Sequence, residues 1–299
     1  EIKEFERDRL AEEPVYFEEE KMVETAKSME YYLQHQGYFG AKVDYFFEHN
    51  RKETKTEVVY LVSTGGQYLI DTLIYKSQDT TIKRMVNEIS GRSYLKKGDP
   101  IDVDLYNQEV NRITVFLRDN GYAFFQPQNI GGLEGLDSSD FKVQLELEIF
   151  PPNKAAKHQS YSVGNVTVFP NYGQTFDLDQ TPDTTINGIH FVTNGIPFRV
   201  KPKTLLNSIS LRSGELYKKS NETNTNLQLS SLGVFNFVTI KSTKDPDNEG
   251  VLNFKILLTQ NKKAEFGMDF DVNQASRKGA VVNRNLMGFF LSPSWKSRN

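Results

Sequence analysis

Three carboxylates stand close together in the segment GDPIDVD, at Asp99, Asp102 and Asp104. Carboxylate oxygens are the ligands that Ca²⁺ prefers, so the first question is whether this segment holds a cation. It lacks the spaced ligands and the closing glutamate of an EF-hand loop. At the start of a helix, carboxylates instead accept hydrogen bonds from free backbone N–H groups and interact favourably with the helix dipole. We therefore predict that these aspartates cap a helix.

The other residue types that serve catalysis or metal binding are scattered along the chain. No HExxH spacing places two of the four histidines on one helix face; they are His35, His49, His158 and His190. The absence of cysteine excludes thiolate metal sites and disulfides. The segment GRSYLKKG lacks the Gly-Lys-Ser/Thr ending of a P-loop, and no G-x-S-x-G is present. We expect no catalytic residue, no metal and no cofactor, and we predict that the protein is not an enzyme.

Composition narrows the class of protein further. The chain has 299 residues, long enough for two or three domains. Its net charge of −3 does not provide the basic surface that nucleic-acid binding requires. No apolar run reaches the roughly 20 residues that a membrane-spanning helix needs.

A pattern of an amphipathic helix, a glycine and an aromatic strand occurs three times. The copies are MEYYLQHQGYFGAKVDYFFE at 29–48, ITVFLRDNGYAFF at 113–125 and LQLSSLGVFNFVTI at 227–240. Their glycines, predicted to end each helix in a left-handed conformation, are Gly37, Gly121 and Gly233. After a polar turn, which in the second copy is GGLEGLDSSD, each copy continues into a second strand: TEVVYLVST, FKVQLELEIF or VLNFKILLTQ.

Further elements precede the second and third copies. Each has an upstream strand and helix, QYLIDTLIYKS with TIKRMVNEIS and SYSVGNVTVFP with KPKTLLNSIS. A short marker follows, GDP or GEL, and Ser220 is predicted to cap the next helix. The repeated unit is therefore strand–helix–helix–strand–strand. In the first copy the marker EPV comes too early for both opening elements, so we predict a sheet of two strands, near 43–47 and 57–63.

This tandem β-α-α-β-β unit, with a Gly-aromatic pair after its second helix, resembles the POTRA domain. The resemblance implies an α+β fold in which each module has a small mixed sheet backed by two helices. We predict an incomplete module at 1–65, a second at 66–155, and a third at 156–261 with an insertion at 171–200. Residues 262–299 are predicted to begin a transmembrane β-barrel.

The barrel prediction comes from alternation in KKAEFGMDFDVN, where apolar and polar residues follow each other as in a barrel strand. The segment RKGAVVNRNLMGFF resembles the turn and second strand that open barrels of the BamA/TamA superfamily, in which a motif like N-x-N-L-F-G ends the second strand. The EEPV…GYF opening, the insertion in the third unit and the short array resemble the TamA-like lipoproteins of Bacteroidota (TamL). A BamA-type insertase and a two-partner secretion porin remain as alternatives.

The resemblance implies a location at the periplasmic face of the outer membrane and a role in protein assembly or translocation. Its implied partners are unfolded outer-membrane proteins, a TamB-like periplasm-spanning protein or other assembly-complex subunits, and outer-membrane lipid through the barrel. No nucleic acid is implied. Unpaired backbone groups of edge strands would receive the client by β-augmentation. The candidate edge residues are Tyr38, Phe39, Val43, Tyr45, Phe47, Tyr122, Phe124, Phe125, Val234, Phe235, Phe237 and Val238.

Three Asp-Thr-Leu/Thr tripeptides resemble the O-glycosylation signal of Bacteroidota periplasms. Their candidate acceptors are Thr72, Thr80 and Thr184.

Overall fold

The computed structural model describes residues 16–52, 55–152, 157–173, 177–261, 264–277 and 284–297. Small sheets backed by helices confirm the predicted α+β class. The chain divides into two compact units, 1–114 with 126–157 and 115–125 with 158–299. Within the described ranges, no helix is both long and apolar enough to cross a bilayer.

The first sheet has two antiparallel strands in the part of the chain that the structure describes. Its elements are helix α1 (Glu19–His35) and strands β1 (Lys42–His49) and β2 (Thr56–Ser63). Gly37 has φ +85°, the left-handed conformation that ends α1 as predicted. Both strands lie where the sequence placed them. The buried apolar residues of this module are few: Met22, Ala26, Ala41 and Val43.

The second sheet follows the predicted strand–helix–helix–strand–strand order. Its elements are β3 (Leu69–Ser77), α2 (Thr80–Glu88), α3 (Val103–Arg118), β4 (Ile130–Ser139) and β5 (Lys142–Ile149). β5 is central, with β3 parallel on one side and β4 antiparallel on the other. A cluster of buried side chains fills the space beneath the sheet: Ile70, Leu95, Ile101, Val143 and Leu145.

The prediction of a strand at Tyr122–Phe125 is wrong, because the chain turns there instead. Tyr122 and Phe125 are buried, and the backbone N–H of Phe125 donates to the Tyr122 carbonyl at 3.0 Å. The paired strand is β4, in the glycine-rich segment that the sequence analysis interpreted as a turn. The β4–β5 turn is formed by Asp140 and Phe141, which have φ of 50° and 59°. Neither is the glycine that marks such turns in a sequence.

The third sheet has the same order with a widened edge. Its elements are β6 (Ser162–Phe169), β7 (Thr184–Ile186), β8 (Ile189–Phe191), α4 (Pro202–Asn207), α5 (Lys219–Ser231), β9 (Phe235–Lys244) and β10 (Val251–Gln260). The strand order is β7-β8-β6-β10-β9, with β10 parallel to β6 and antiparallel to β9. The insertion supplies β7 and β8, and β8 pairs in parallel with the end of β6.

The two upstream markers have a structural role that their sequence did not indicate. Each forms a β-bridge to the start of its module's first strand, Leu69 with Pro100 and Ser162 with Leu216. In the third module, β6 is therefore covered by the marker at its start and by β8 at its end.

Of the three aspartates predicted to cap a helix, Asp102 caps α3, while Asp104 lies in the first turn of α3 and Asp99 precedes the helix. Asp102 Oδ1 accepts hydrogen bonds from the backbone N–H groups of Asp104 (2.6 Å) and Leu105 (3.0 Å). Ser220 does not cap α5, because it lies inside the helix. Its own N–H donates to Asp119 Oδ1 at 2.7 Å, so a residue distant in sequence satisfies this helix start.

A further hairpin follows the third sheet. β11 (Ala264–Arg277) and β12 (Arg284–Ser297) pair antiparallel in continuous register. The NLMG part of the motif lies at the start of β12 rather than at its end, since the strand continues to Ser297. Asn283 lies outside the described residues.

The second and third modules each have a buried acceptor on their second helix, and this acceptor binds the segment between the helices. In the second module, Glu109 accepts from the Tyr94 backbone N–H at 3.1 Å, and in the third, Thr225 Oγ1 accepts from the Ser210 N–H at 2.9 Å. Both side chains are fully buried. The loop between the helices is therefore held by an acceptor within each core.

Glu109 also carries a buried charge. Its carboxylate accepts hydrogen bonds from the Tyr75 hydroxyl (2.5 Å) and from two nitrogens of Arg112 (2.6 and 2.9 Å). Burial acts to raise the pKa of Glu109, but the hydrogen bonds from Arg112, Tyr75 and the Tyr94 backbone outweigh it and hold this pKa below its ordinary value. The ionised network therefore stabilises the folded second module.

We expect Glu109→Gln to lower the free energy of unfolding at pH 7 by about 3 kcal/mol, the low end for breaking a buried ion pair, because Arg112 keeps some exposure. The folded pKa lies below the unfolded value of about 4.3, so this stabilisation is complete above that value and is lost as the pH falls through the folded pKa. Chemical denaturation between pH 7 and pH 3 measures the difference between the wild type and the variant.

The control is Glu88→Gln, since the Glu88 side chain is 65% exposed on α2. The difference in unfolding free energy between the wild type and Glu109→Gln should shrink as the pH falls. A difference that stays constant down to pH 3 would contradict the assignment of the stabilisation to the ionised carboxylate.

Candidate functional site

Open sheet edges are the sites that this fold offers for another polypeptide. A terminal strand of a sheet has a row of backbone N–H and C=O groups without ladder partners. In the third sheet the terminal strands are β7, of three residues, and β9, of ten residues. Since β6 is covered by the insertion, β9 is the long open edge of this module in the described chain.

The hydrogen bonds around β9 define which of its groups face outward. The Asp245 N–H donates to the Val251 carbonyl at 3.0 Å, so Asp245 is paired with the β10 side of the hairpin. Groups of every second residue point to the same side of a strand. The backbone groups directed away from β10 are therefore those of Val238, Ile240, Ser242 and Lys244, while Lys241 and Thr243 bond to β10.

The predicted third-module residues lie at this edge. Val234 precedes β9, and Phe235, Phe237 and Val238 are on it. Phe235 is buried and Val238 packs against the core, whereas Phe237 is 64% exposed on the opposite face. An incoming strand at β9 would thus meet backbone groups along its edge and an exposed ring beside it.

The predicted first-module residues divide between a turn and a strand. Tyr38 and Phe39 precede β1, and Val43, Tyr45 and Phe47 are on it. The Asn50 N–H donates to the Lys55 carbonyl at 3.0 Å, which places the backbone groups of these three strand residues on the outer side of β1.

The predicted second-module residues are not at an edge. Tyr122, Phe124 and Phe125 form the turn described above, so their assignment to an edge strand is corrected. Phe124 instead packs edge-on against Tyr161, with ring centroids 5.2 Å apart, and Lys244 Nζ lies 5.3 Å from its ring centroid. These contacts give Phe124 a packing role within the second unit.

The second sheet has two terminal strands, β3, whose start is bridged by the marker, and β4, which sequence reasoning missed. A groove of about 850 Å³ runs beside it and is lined mainly by apolar side chains: Phe39, Tyr68, Ile101, Val103, Tyr106, Leu133, Val143 and Leu145. β4 is interrupted by two register shifts, one between Ile130 and Leu133 and one between Gly135 and Asp137. β9 has one register shift, between Phe235 and Phe237 at its start, so the rest of β9 is a better template for continuous strand pairing than β4.

The β11–β12 hairpin has one entirely apolar face among its described side chains. Residues opposite each other in an antiparallel pair lie on the same face. By the observed register, this face consists of Phe266, Met268, Phe270, Val272, Phe289, Leu291, Pro293 and Trp295. The side chains of this face are exposed, and Trp295 is 76% exposed. An exposed apolar surface of this kind indicates contact with lipid or with another apolar partner.

Residues considered for metal binding or modification do not come together. No group of three or more His, Asp or Glu residues in the described ranges could hold a metal ion. Thr72 on β3 and Thr80, at the start of α2 after the capping Asp79, are exposed, and Thr184 is half-buried at the start of β7. Glycosylation at these positions stays a prediction.

Comparison with known proteins gives fold similarities only. No protein-family model and no curated protein matches the chain. POTRA domains 3–5 of BamA from Haemophilus influenzae are 16% identical, with a TM-score of 0.41 and 83% of each chain covered. BamA from Haemophilus ducreyi lacking POTRA domains 1–3 is 13% identical, with a TM-score of 0.45 over 70% of this chain and 32% of that one. CdiB from Escherichia coli is 8% identical, with a TM-score of 0.25 over 86% and 37%. At these TM-scores the similarities add no weight to a functional assignment.

We expect proline substitutions on the two sides of β9 to differ in their effect on stability. Ser242→Pro removes an outward N–H and should leave the ladder to β10 intact, whereas Lys241→Pro removes a ladder donor and should cost roughly 1–3 kcal/mol more in unfolding free energy. Urea denaturation of both variants measures the difference. Equal destabilisation by the two substitutions would show that the outward side of β9 has been misassigned.

Proposed function

We propose that this chain is the periplasmic POTRA region of an outer-membrane protein assembly or translocation factor. In this proposal it binds extended segments of unfolded outer-membrane proteins by β-augmentation and passes them to a barrel. The observation that carries the proposal is the open edge of β9, ten residues long, in the module directly before the apolar hairpin.

Binding through an edge strand suits a receptor for many clients. The hydrogen bonds come from the backbone, so they impose little demand on client sequence. Side chains beside the edge add apolar contact, which at β9 is supplied by the exposed Phe237. Unfolded barrel proteins consist of strands that alternate apolar and polar residues, and such a strand would present one apolar face at this edge.

The outer-membrane location is supported by the hairpin. Strands of a membrane barrel carry an apolar face toward lipid and a more polar face toward the lumen. The opposite face of the hairpin is more polar: it includes Asp269, Asp271, Ser292 and Ser294, together with one exposed aromatic residue, Phe290. The Asn261 N–H donates to the Val234 carbonyl at 3.0 Å, so the chain leaves the third sheet beside the start of β9.

Within this proposal, the sequence motifs favour a TamA-like lipoprotein of the Bacteroidota type, with a TamB-like periplasm-spanning partner and lipid contact through the barrel. A BamA-type insertase is the alternative within the superfamily.

The test uses a fluorescently labelled, urea-unfolded outer-membrane porin diluted into the full chain. We expect Ser242→Pro to weaken binding by roughly 3- to 10-fold, the effect of losing about one backbone hydrogen bond with local steric interference. Thr239→Ala is the matched control, since it changes an exposed side chain on β9 and leaves the outward backbone groups in place. Fluorescence anisotropy gives both dissociation constants.

Residue-resolved amide exchange separates β9 from the other edges. Bound porin should slow exchange at Ile240, Ser242 and Lys244. Unchanged exchange at these amides, or wild-type affinity in a Ser242→Pro variant with an unchanged thermal midpoint, would contradict binding at β9.

A further inference from the structure

Each of the three modules has a side chain on its last helix that bonds to a backbone group of its edge strand. In the first, Glu30 Oε1 accepts from the Val43 N–H at 2.8 Å. In the second, the Tyr106 hydroxyl donates to the Gly131 carbonyl at 2.9 Å. In the third, Asn226 Nδ2 donates to the Val238 carbonyl at 3.0 Å. We call these contacts the helix-to-edge hydrogen bonds.

Two of the bonded backbone groups, the Val43 N–H and the Val238 carbonyl, lie on the outer side of their edge strands. Val43 and Val238 both have outward backbone groups by the ladder pattern derived above. Gly131 falls within the first register shift of β4, where the ladder to β5 is interrupted. At β1 and β9 the bond therefore occupies a backbone group near the start of the strand that an incoming strand would otherwise use.

At β9 the consequence for register is specific. An added strand needs the carbonyl of Val238 as an acceptor if it is to pair along the whole edge. Asn226 holds that carbonyl, while the outward groups from Ile240 to Lys244 have no helix-to-edge bond in the described chain. A client would have to displace the amide of Asn226 before pairing could extend to Val238.

We propose that Asn226 is a specificity-determining residue that limits strand addition at β9 to the stretch Ile240–Lys244. This inference rests on the proposed function, since it concerns the same edge. Glu30 has the corresponding role at β1, where it holds the outward N–H of Val43.

The experiment uses the full chain and a fluorescein-labelled synthetic peptide AEFGMDFDVN, which alternates apolar and polar residues. Asn226→Ala frees the Val238 carbonyl, so we expect peptide affinity to rise by roughly 2- to 10-fold, the effect of about one added backbone hydrogen bond. Amide exchange should show protection from Ile240 to Lys244 in the wild type and its extension to the Val238 N–H in the variant.

The matched control is Asn224→Ala, which truncates an exposed asparagine on the same helix and should leave affinity and protection unchanged. Protection of Val238 in the wild type, or equal affinities for the wild type and Asn226→Ala, would overturn the role of Asn226 while leaving binding at β9 intact. No protection of β9 in either protein would overturn the proposed function and this inference together.

Discussion

The central strands β5 and β10 form hydrogen bonds to a neighbouring strand on both sides. The strands beside them pair with a central strand on one side, and the backbone groups on their outer side need another partner. A buried or half-buried backbone group without a partner costs free energy, so each open edge must be covered, interrupted or exposed to water. The third module covers β6 with its marker and with β8, and leaves β9 open. The second module interrupts β4 with register shifts. The same requirement therefore explains the insertion, the markers and the location of the candidate site.

In the apolar hairpin the unburied groups are side chains rather than backbone groups. Its two strands pair with each other along their full described length, so their inner backbone groups are satisfied. Its apolar side chains, in contrast, are not buried, since those of one face are exposed. Backbone pairing and side-chain burial are thus separate conditions, and the hairpin fulfils the first without the second.

Much of the fold could be predicted from the sequence because it depends on local signals. Gly37, Gly121 and Gly233 mark helix ends through a left-handed conformation, and alternating apolar residues mark β5 and β10. The edge strand β4 could not be predicted, because glycines within it resemble a turn and the true turn uses Asp140 and Phe141. The aromatic run at 122–125 resembled a strand, but its rings are placed by packing rather than by pairing. The outward direction of individual N–H groups on β9 depends on hairpin register, which local sequence does not encode.

Glu109 and Thr225 show how the repeated modules have diverged. A carboxylate in one core and a hydroxyl in the other accept the same N–H group from the segment between the helices. The acceptor function is therefore the same at this position in both modules, while the residue differs in size and charge. Equivalent positions in two modules are therefore found more reliably by the backbone N–H to which a side chain hydrogen-bonds than by the identity of the residue. Substitution matrices, which treat an exchange of glutamate for threonine as unfavourable, would score this equivalence as a mismatch.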